Sequence, residues 1–199
     1  MRELWGIYRV HFWLALALCG ADLLCLASTW LPGAYAVPKW LVMGLFIAIF
    51  PVFFVAIVLS FTSGAESQLM GPSNAGQFIR YVLLLPPALK LTYGFVICLA
   101  VLGFATGGDT AEDVQADASG YYYIHRDRTG HPERDARVEL TESEYYEASK
   151  SQLRIFSAGP AVFHAFSSFL VLASASAAAG RARSAPGRSY DPAELPKWS

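Results

Sequence analysis

Four long apolar runs, separated by polar connections, dominate the pattern of this chain. The clearest run covers residues 40–61, WLVMGLFIAIFPVFFVAIVLSF, and contains no charged side chain. At about 1.5 Å per residue, a helix of that length crosses a bilayer core of about 30 Å. A helix on the surface of a soluble core would instead carry one polar face. The run therefore predicts a transmembrane helix.

Three further apolar runs predict spans at residues 10–31, 78–104 and 155–180. Together the four runs predict an α-helical integral membrane protein built as a four-helix transmembrane bundle. Pro51 lies near the middle of the second span, where the backbone carbonyl it leaves unpaired requires cover from a neighbouring helix. The pair Pro86-Pro87 predicts a kink in the third span.

The alternation of apolar and hydrophilic stretches divides the chain into four parts. These are residues 1–106 with spans one to three, the hydrophilic segment 107–154, span four at 155–180, and a disordered cytoplasmic tail at 181–199. Eleven of the sixteen acidic residues lie in the hydrophilic segment, between Asp109 and Glu147. The first run is longer than the apolar part of a signal peptide, about 7–15 residues, so we expect it to remain as a span.

The distribution of basic residues predicts the orientation of the chain, because short cytoplasmic connections of membrane proteins are enriched in Lys and Arg. One set of termini and short connections carries seven basic side chains: Arg2, Arg9, Arg80, Arg181, Arg183, Arg188 and Lys197. The short connection on the other side carries only Lys39. We therefore expect a multi-pass protein of the cell membrane with both termini cytoplasmic and the hydrophilic segment outside.

The hydrophilic segment predicts a small extracytoplasmic β-hairpin followed by a helical extension. Residues 108–120 are acidic and rich in small residues, which is typical of a flexible lead-in. Residues 121–126 and 137–140 have the composition of two short strands joined by a turn. Thr141 and Glu144 then form a capping box, which predicts that a helix begins near Glu142 and leads into span four.

This order of a Tyr-rich strand, a turn, a short strand and a Leu-Thr-x-x-Glu-Tyr helix start resembles a known family. It is similar to uncharacterised small bacterial four-span membrane proteins with a Tyr-rich extracytoplasmic hairpin. The residues that carry the resemblance are Tyr121, Tyr122, Tyr123, His125 and residues 140–145. The resemblance implies the same architecture, and it implies no activity.

Three ionisable side chains interrupt the spans: Asp22, Lys90 and His164. Counted from the nearest flanking charges, all three lie near the midplane of the bilayer. A lone charge there costs about 2.5–3.5 kcal/mol or more, so each is expected to have a partner. We predict an intramembrane polar centre in which Asp22 pairs with Lys90, with His164 and Tyr93 close by.

Two hypotheses account for this polar centre. It is either a proton or ion relay, or a buried polar pair that fixes the register of the helices. We favour the structural hypothesis, since Lys90 would hold Asp22 ionised and a proton carrier needs a carboxylate that changes state. Small residues one turn apart, such as Ala15 and Cys19 on span one and Ser157 and Ala161 on span four, predict which helix faces turn inward.

Other chemistry has little support in the sequence. The group His125, Asp127, His131 and Glu133 matches no standard metal-ligand spacing, so no metal and no cofactor are predicted. The net charge of −1 excludes a basic surface for nucleic acid. The three cysteines lie in apolar runs and are expected to be buried. None of the common hydrolase, metalloprotease or nucleotide-binding motifs is present, and we predict that the chain is not an enzyme.

The leading hypothesis is a non-enzymatic interaction or accessory protein that presents an extracytoplasmic cap. Besides the lipid bilayer, its partner would be another membrane or extracytoplasmic protein, or a second copy of the chain. The candidate partner-binding residues are Tyr121, Tyr122, Tyr123 and His125, which would act by edge pairing of their strand. The alternative is a small transporter or channel-like subunit that uses the midplane polar centre.

Overall fold

The computed structural model describes residues 6–33, 37–65, 82–83, 85–107, 114–125 and 136–184. It is mostly helical, with four helices that are long and apolar enough to span a membrane. These helices are α1 (Gly6–Ser28), α2 (Lys39–Ser63), α3 (Pro87–Gly107) and α4 (Glu142–Ser184). A small antiparallel sheet lies between α3 and α4 in the sequence, formed by β1 (Val114–Asp117), β2 (Gly120–His125) and β3 (Ala136–Leu140).

Helix α4 is the central element of the bundle, because α1, α2 and α3 each pack mainly against it. Its packing surface consists of small side chains, among them Ala158, Ala161 and Ala165, which are all buried. Small residues allow helix backbones to approach closely. The helix continues through Gly159 and Pro160.

Many large apolar side chains of the bundle face outward and many of its buried residues are small or polar, although Phe12 and Phe169 are buried as well. Phe54 is 67% exposed and Leu91 is 75% exposed, whereas Ser157, Ser168 and Asp22 are buried. In a soluble protein the large apolar side chains would fill the core. Apolar lipid removes that requirement, so this inverted arrangement is typical of helices surrounded by hydrocarbon.

The third helix begins later than the sequence predicted. Residues 82–83 are helical as well, the chain bends at residue 85, and helix α3 begins at Pro87, so the Pro86-Pro87 pair follows a bend between helical residues. Proline is favoured in the first turn because its missing N–H has no helical acceptor there. Residues 78–81 of the predicted span lie outside the described residues.

The sheet has the order β1-β2-β3, so the predicted hairpin of β2 and β3 is present and a third strand is added to it. Tyr121 pairs with Leu140 across β2 and β3, and Tyr123 pairs with Val114 across β2 and β1. The prediction of a flexible lead-in was therefore wrong for residues 114–117. Val114 is buried and gives this otherwise polar strand an apolar contact that a composition count does not reveal.

The capping box predicted at the start of α4 is confirmed. The backbone N–H of Thr141 donates to Oε2 of Glu144 at 2.8 Å, and the N–H of Glu144 points back to the Thr141 hydroxyl at 3.4 Å. The bond from the Thr141 N–H to the carboxylate, followed by a second bond from the Thr141 hydroxyl, lowers the pKa of Glu144. Because Thr141 is the only residue between β3 and α4, the capping box joins the sheet directly to the central helix.

Helix α3 makes close contact with α4 at two of its glycines, Gly103 and Gly107. A Cβ atom on Gly103 would lie 2.9 Å from Leu26 and 3.1 Å from Ala158. On Gly107 it would lie 2.8 Å from Ile155 and 3.0 Å from the carbonyl oxygen of Ser151. The Gly-x-x-x-Gly spacing of α3 is therefore a contact surface for α4.

Gly107→Ala is expected to lower the free energy of unfolding by about 1–3 kcal/mol, because the backbone carbonyl of Ser151 cannot move aside. Gly94→Ala is the matched control, since Gly94 lies in the same helix and a Cβ atom added there would have no neighbour within 4 Å among the described residues. The control should be neutral or slightly stabilising. Equal effects in a denaturant titration of the two variants in detergent would contradict the close α3–α4 contact.

Candidate functional site

Asp22 of α1 and His164 of α4 form a buried pair in the middle of the bundle. Nδ1 of His164 lies 2.7 Å from Oδ2 of Asp22, and both side chains are almost fully buried. The small neighbours Cys19, Ala161 and Ala165 leave room for the two polar groups. The pair therefore joins α1 to the central helix by a short, charge-assisted type of hydrogen bond.

The pair has unused hydrogen-bonding capacity. Oδ1 of Asp22 and Nε2 of His164 are buried and have no hydrogen-bond partner among the residues that the structure describes. The Ser157 hydroxyl is also buried without a hydrogen-bond partner among the described residues. Tyr93 is the fourth residue of the predicted centre. Its hydroxyl lies 2.9 Å from that of Ser168, which is one turn after His164 in α4.

The predicted Asp22–Lys90 pair is wrong, because Asp22 is paired with His164. Lys90 is exposed, and its Nζ donates to the backbone carbonyl of Leu83. The face of α3 that turns inward consists instead of Leu89, Val96, Ala100, Gly103 and Gly107. Cys98 follows Lys90 to the outside, so the expectation that every cysteine is buried holds only for Cys19 and Cys25.

His11 makes a second polar contact between helices, in the half of the bundle away from the sheet. Its Nε2 donates to the carbonyl oxygen of Val52 at 2.9 Å, and the side chain is buried. Pro51 removes the helical donor for the carbonyl of Ile47. The hydrogen bond from His11 reaches α2 at Val52, the residue after Pro51. The sequence predicted instead that a neighbouring helix would cover the carbonyl that Pro51 leaves unpaired.

At the end of the bundle that carries the sheet, which we call the cap end, α4 holds the ends of α1 and α3. The buried Lys150 donates from Nζ to the carbonyl oxygens of Leu31 at 3.0 Å and Gly33 at 2.8 Å. Its only ion pair among the described residues is a 3.5 Å contact with Glu147. Lys150 therefore supplies hydrogen-bond donors to the backbone that follows α1.

Arg154 and Ser151 complete this group, which we call the cap-end clamp together with Lys150. Arg154 donates from Nε to the Thr29 hydroxyl at 3.2 Å and from a guanidinium N–H to the carbonyl oxygen of Thr106 at 3.0 Å. The Ser151 hydroxyl donates to the carbonyl oxygen of Gly107 at 3.0 Å. Cations near helix C-termini also complement the negative end of the helix dipole.

Arg181 repeats this role at the opposite end of α4. It donates to the carbonyl oxygen of Thr62 at 2.8 Å, next to the left-handed Gly64 that ends α2. The C-terminal ends of α1, α2 and α3 thus all receive a basic or hydroxyl side chain from α4. Sequence reasoning assigned Arg181 to a disordered tail, and the rest of that tail, residues 185–199, lies outside the described residues.

The tyrosines of β2 are partly buried rather than freely displayed. The ring of Tyr121 stacks on Tyr145 of α4 with ring centroids 4.6 Å apart. Tyr122 donates to Gln115 of β1 and lies under the guanidinium of Arg137, 3.6 Å from its ring centroid. Tyr123 is half-buried, and His125 is exposed at the far end of the strand.

The sequence predicted edge pairing by β2. The structure excludes it, because β2 is the central strand of the sheet. Its two sides are occupied by β1 and β3. Asp117 and Arg137 tie the outer strands together at 3.0 Å, and the Arg137 guanidinium lowers the pKa of the Asp117 carboxyl. A carboxyl whose pKa is lower in the folded state than in the unfolded state stabilises the fold while it is ionised. The Asp117–Arg137 ion pair therefore stabilises the sheet above the unfolded-state pKa of Asp117, and this stabilisation is lost as the pH falls through the folded-state pKa.

No family model, curated protein or solved structure matches this chain. The resemblance to small four-span bacterial proteins therefore stays a prediction. Of the four residues weighed as a metal site, only His125 lies within the described part of the chain.

Replacing Asp22 and His164 tests whether the two side chains depend on each other. Asp22→Val or His164→Leu alone should each destabilise the fold by about 3–5 kcal/mol, because the remaining polar group is left buried and unpaired. The double variant should recover about 1–3 kcal/mol relative to the sum of the single changes. Unfolding in detergent measures all three, and additive effects, or equal coupling of Asp22 to Lys90→Met, would contradict the pairing.

Proposed function

We propose that the chain is a multi-pass membrane protein without enzymatic activity, whose role is to present the three-stranded cap to a protein partner. Four helices long and apolar enough to cross a membrane support the membrane location. The large apolar side chains on the outside of the bundle, such as Phe54 and Leu91, support it further. By the distribution of Lys and Arg, the cap faces outward and both termini are cytoplasmic.

The rigid attachment of the cap to α4 is the observation that carries this proposal. Strand β3 enters α4 through the single residue Thr141, and Tyr121 stacks on Tyr145 of the same helix. A partner bound to the cap would therefore contact an element that is fixed to the whole bundle. A lone hairpin would be marginally stable, whereas this sheet has three strands and a helix to pack on.

The outer edges of β1 and β3, rather than β2, are the surfaces that a partner strand can reach. The outer end of the sheet adds the partly exposed Ile124 and the exposed His125. Main-chain pairing at such an edge gives affinity, and neighbouring side chains give specificity. The partner would be a membrane or extracytoplasmic protein, or a second copy of the chain.

Removal of the cap should abolish the association while the bundle remains folded. Residues 114–140 would be replaced by a Gly/Ser linker, which keeps the capping box and Lys150, Ser151 and Arg154. The tagged intact chain, purified from native membranes in mild detergent, is expected to retain a stoichiometric partner that the linker variant loses. Mass spectrometry and mass measurement of the complex would identify the partner and its stoichiometry.

A combined Ile124→Ser and His125→Ala variant is the matched control, since it alters the outer end of the sheet and leaves its strands paired. Weaker association in this variant would locate the contact at that end. If the intact chain purifies as a monomer, or if the linker variant retains the same partner, the cap is not the binding element.

The alternative, a small transporter or channel-like subunit, is favoured by one observation. The buried atoms Asp22 Oδ1 and His164 Nε2 have no partner among the described residues, so the pair has sites left for a proton. Proton flux into vesicles carrying the intact chain, absent with a folded Asp22→Val/His164→Leu double variant, would support this alternative over the structural role.

A further inference from the structure

A cavity of about 850 Å³ lies between the start of α2, the start of α4 and strand β2. Its volume is in the range of small-molecule sites, about 300–1,000 Å³. The residues that matter most to its chemistry are Lys39, Met43, Phe46, Tyr145, Ser149 and Phe156. The cavity is separate from the Asp22–His164 pair and from the outer edges of the sheet.

The cavity wall is apolar over most of its length, and its one charged residue, Lys39, lies at the cap end, which gives a gradient of charge along the axis of the bundle. Lys39 and Tyr145 lie nearest the cap, while Met43, Phe46 and Phe156 lie one to three helical turns further from it. The seven residues from Lys39 to Phe46 correspond to about 10 Å of helix. At the boundary of a membrane this gradient follows the order of headgroup and acyl chain in a phospholipid.

Two polar groups lie in the upper part of the cavity. Lys39 is exposed at the first residue of α2 and carries a positive charge. Ser149 is buried, and its hydroxyl has no hydrogen-bond partner among the described residues.

We propose that this cavity binds a single phospholipid. Its acyl chain packs on Met43, Phe46 and Phe156, and its headgroup phosphate lies near Lys39. The inference rests on the proposed membrane location, and it does not depend on whether the cap binds a protein. Lipid in this position would bridge α2, α4 and the cap.

The probe is a phospholipid with a photoactivatable group on its acyl chain, incorporated into phosphatidylglycerol vesicles that contain the full chain. Saturable cross-links are expected on Met43, Phe46 and Phe156, and excess unlabelled phospholipid should compete with them. Residues that face outward elsewhere on α2, such as Phe54, should show only unsaturable labelling. Labelling that is uniform over all outward-facing residues would overturn the proposal.

Two variants with matched controls test the two ends of the cavity. Met43→Trp adds bulk within the cavity and should reduce saturable labelling at least fivefold, whereas Ile47→Trp, which is one turn further along α2 and outside the cavity wall, should not. The two side chains are equally exposed, at 56% and 57%. Equal labelling of both variants would overturn the acyl-chain assignment.

Lys39→Gln should weaken competition by phospholipid about fivefold and leave competition by diacylglycerol unchanged. Lys90→Gln, which removes an exposed lysine outside the cavity, is the control. Equal loss for both competitors would overturn the phosphate assignment. Resistance to alkaline extraction from the vesicles reports membrane insertion separately, so failure of the membrane location can be told apart from failure of the lipid site.

Discussion

The carbonyl groups at the end of a helix have no donor within that helix, and in apolar surroundings they need one from elsewhere. In this protein α4 supplies several of these donors. Lys150, Ser151 and Arg154 reach the ends of α1 and α3 at the cap end, and Arg181 reaches the end of α2 at the other. The position of α4 at the centre of the bundle follows from this arrangement.

The small side chains of α4 and the glycines of α3 serve the same arrangement. A hydrogen bond from Ser151 to Gly107 requires that the two backbones approach closely, and a Cβ atom on Gly107 would lie 3.0 Å from the Ser151 carbonyl oxygen. Close packing and satisfied helix ends therefore depend on each other. Between the two ends, the Asp22–His164 pair adds one polar contact in the middle of the bundle.

Local signals in the sequence predicted local structure well. The length of the apolar runs indicated four long helices, and Thr141 with Glu144 indicated the start of α4. The inward faces of α1 and α4 also followed from their small residues, since Ala15, Cys19 and Ser157 are buried. These features depend on neighbours within one helix, so periodicity and capping rules are sufficient to predict them.

Contacts between helices could not be predicted in the same way. The spacing of Asp22 and Lys90 from flanking charges gives their depth, but depth does not give the direction in which a side chain points around its helix. The Gly103-x-x-x-Gly107 spacing was the signal that could have shown which face of α3 turns inward, and it places Lys90 outside. Lys150 lies in the segment that the sequence predicted to be hydrophilic, yet its side chain is buried against backbone carbonyls.

The measurement that tests the central role of α4 most directly is amide hydrogen exchange at the end of α1 in Lys150→Met. Loss of the bonds to Leu31 and Gly33 should free the turn that follows α1, and exchange in residues 26–33 should rise at least tenfold over the intact chain. Lys90→Met, which removes an exposed lysine, should leave exchange there unchanged. Unchanged exchange in Lys150→Met would show that the bonds from Lys150 do not hold the turn that follows α1.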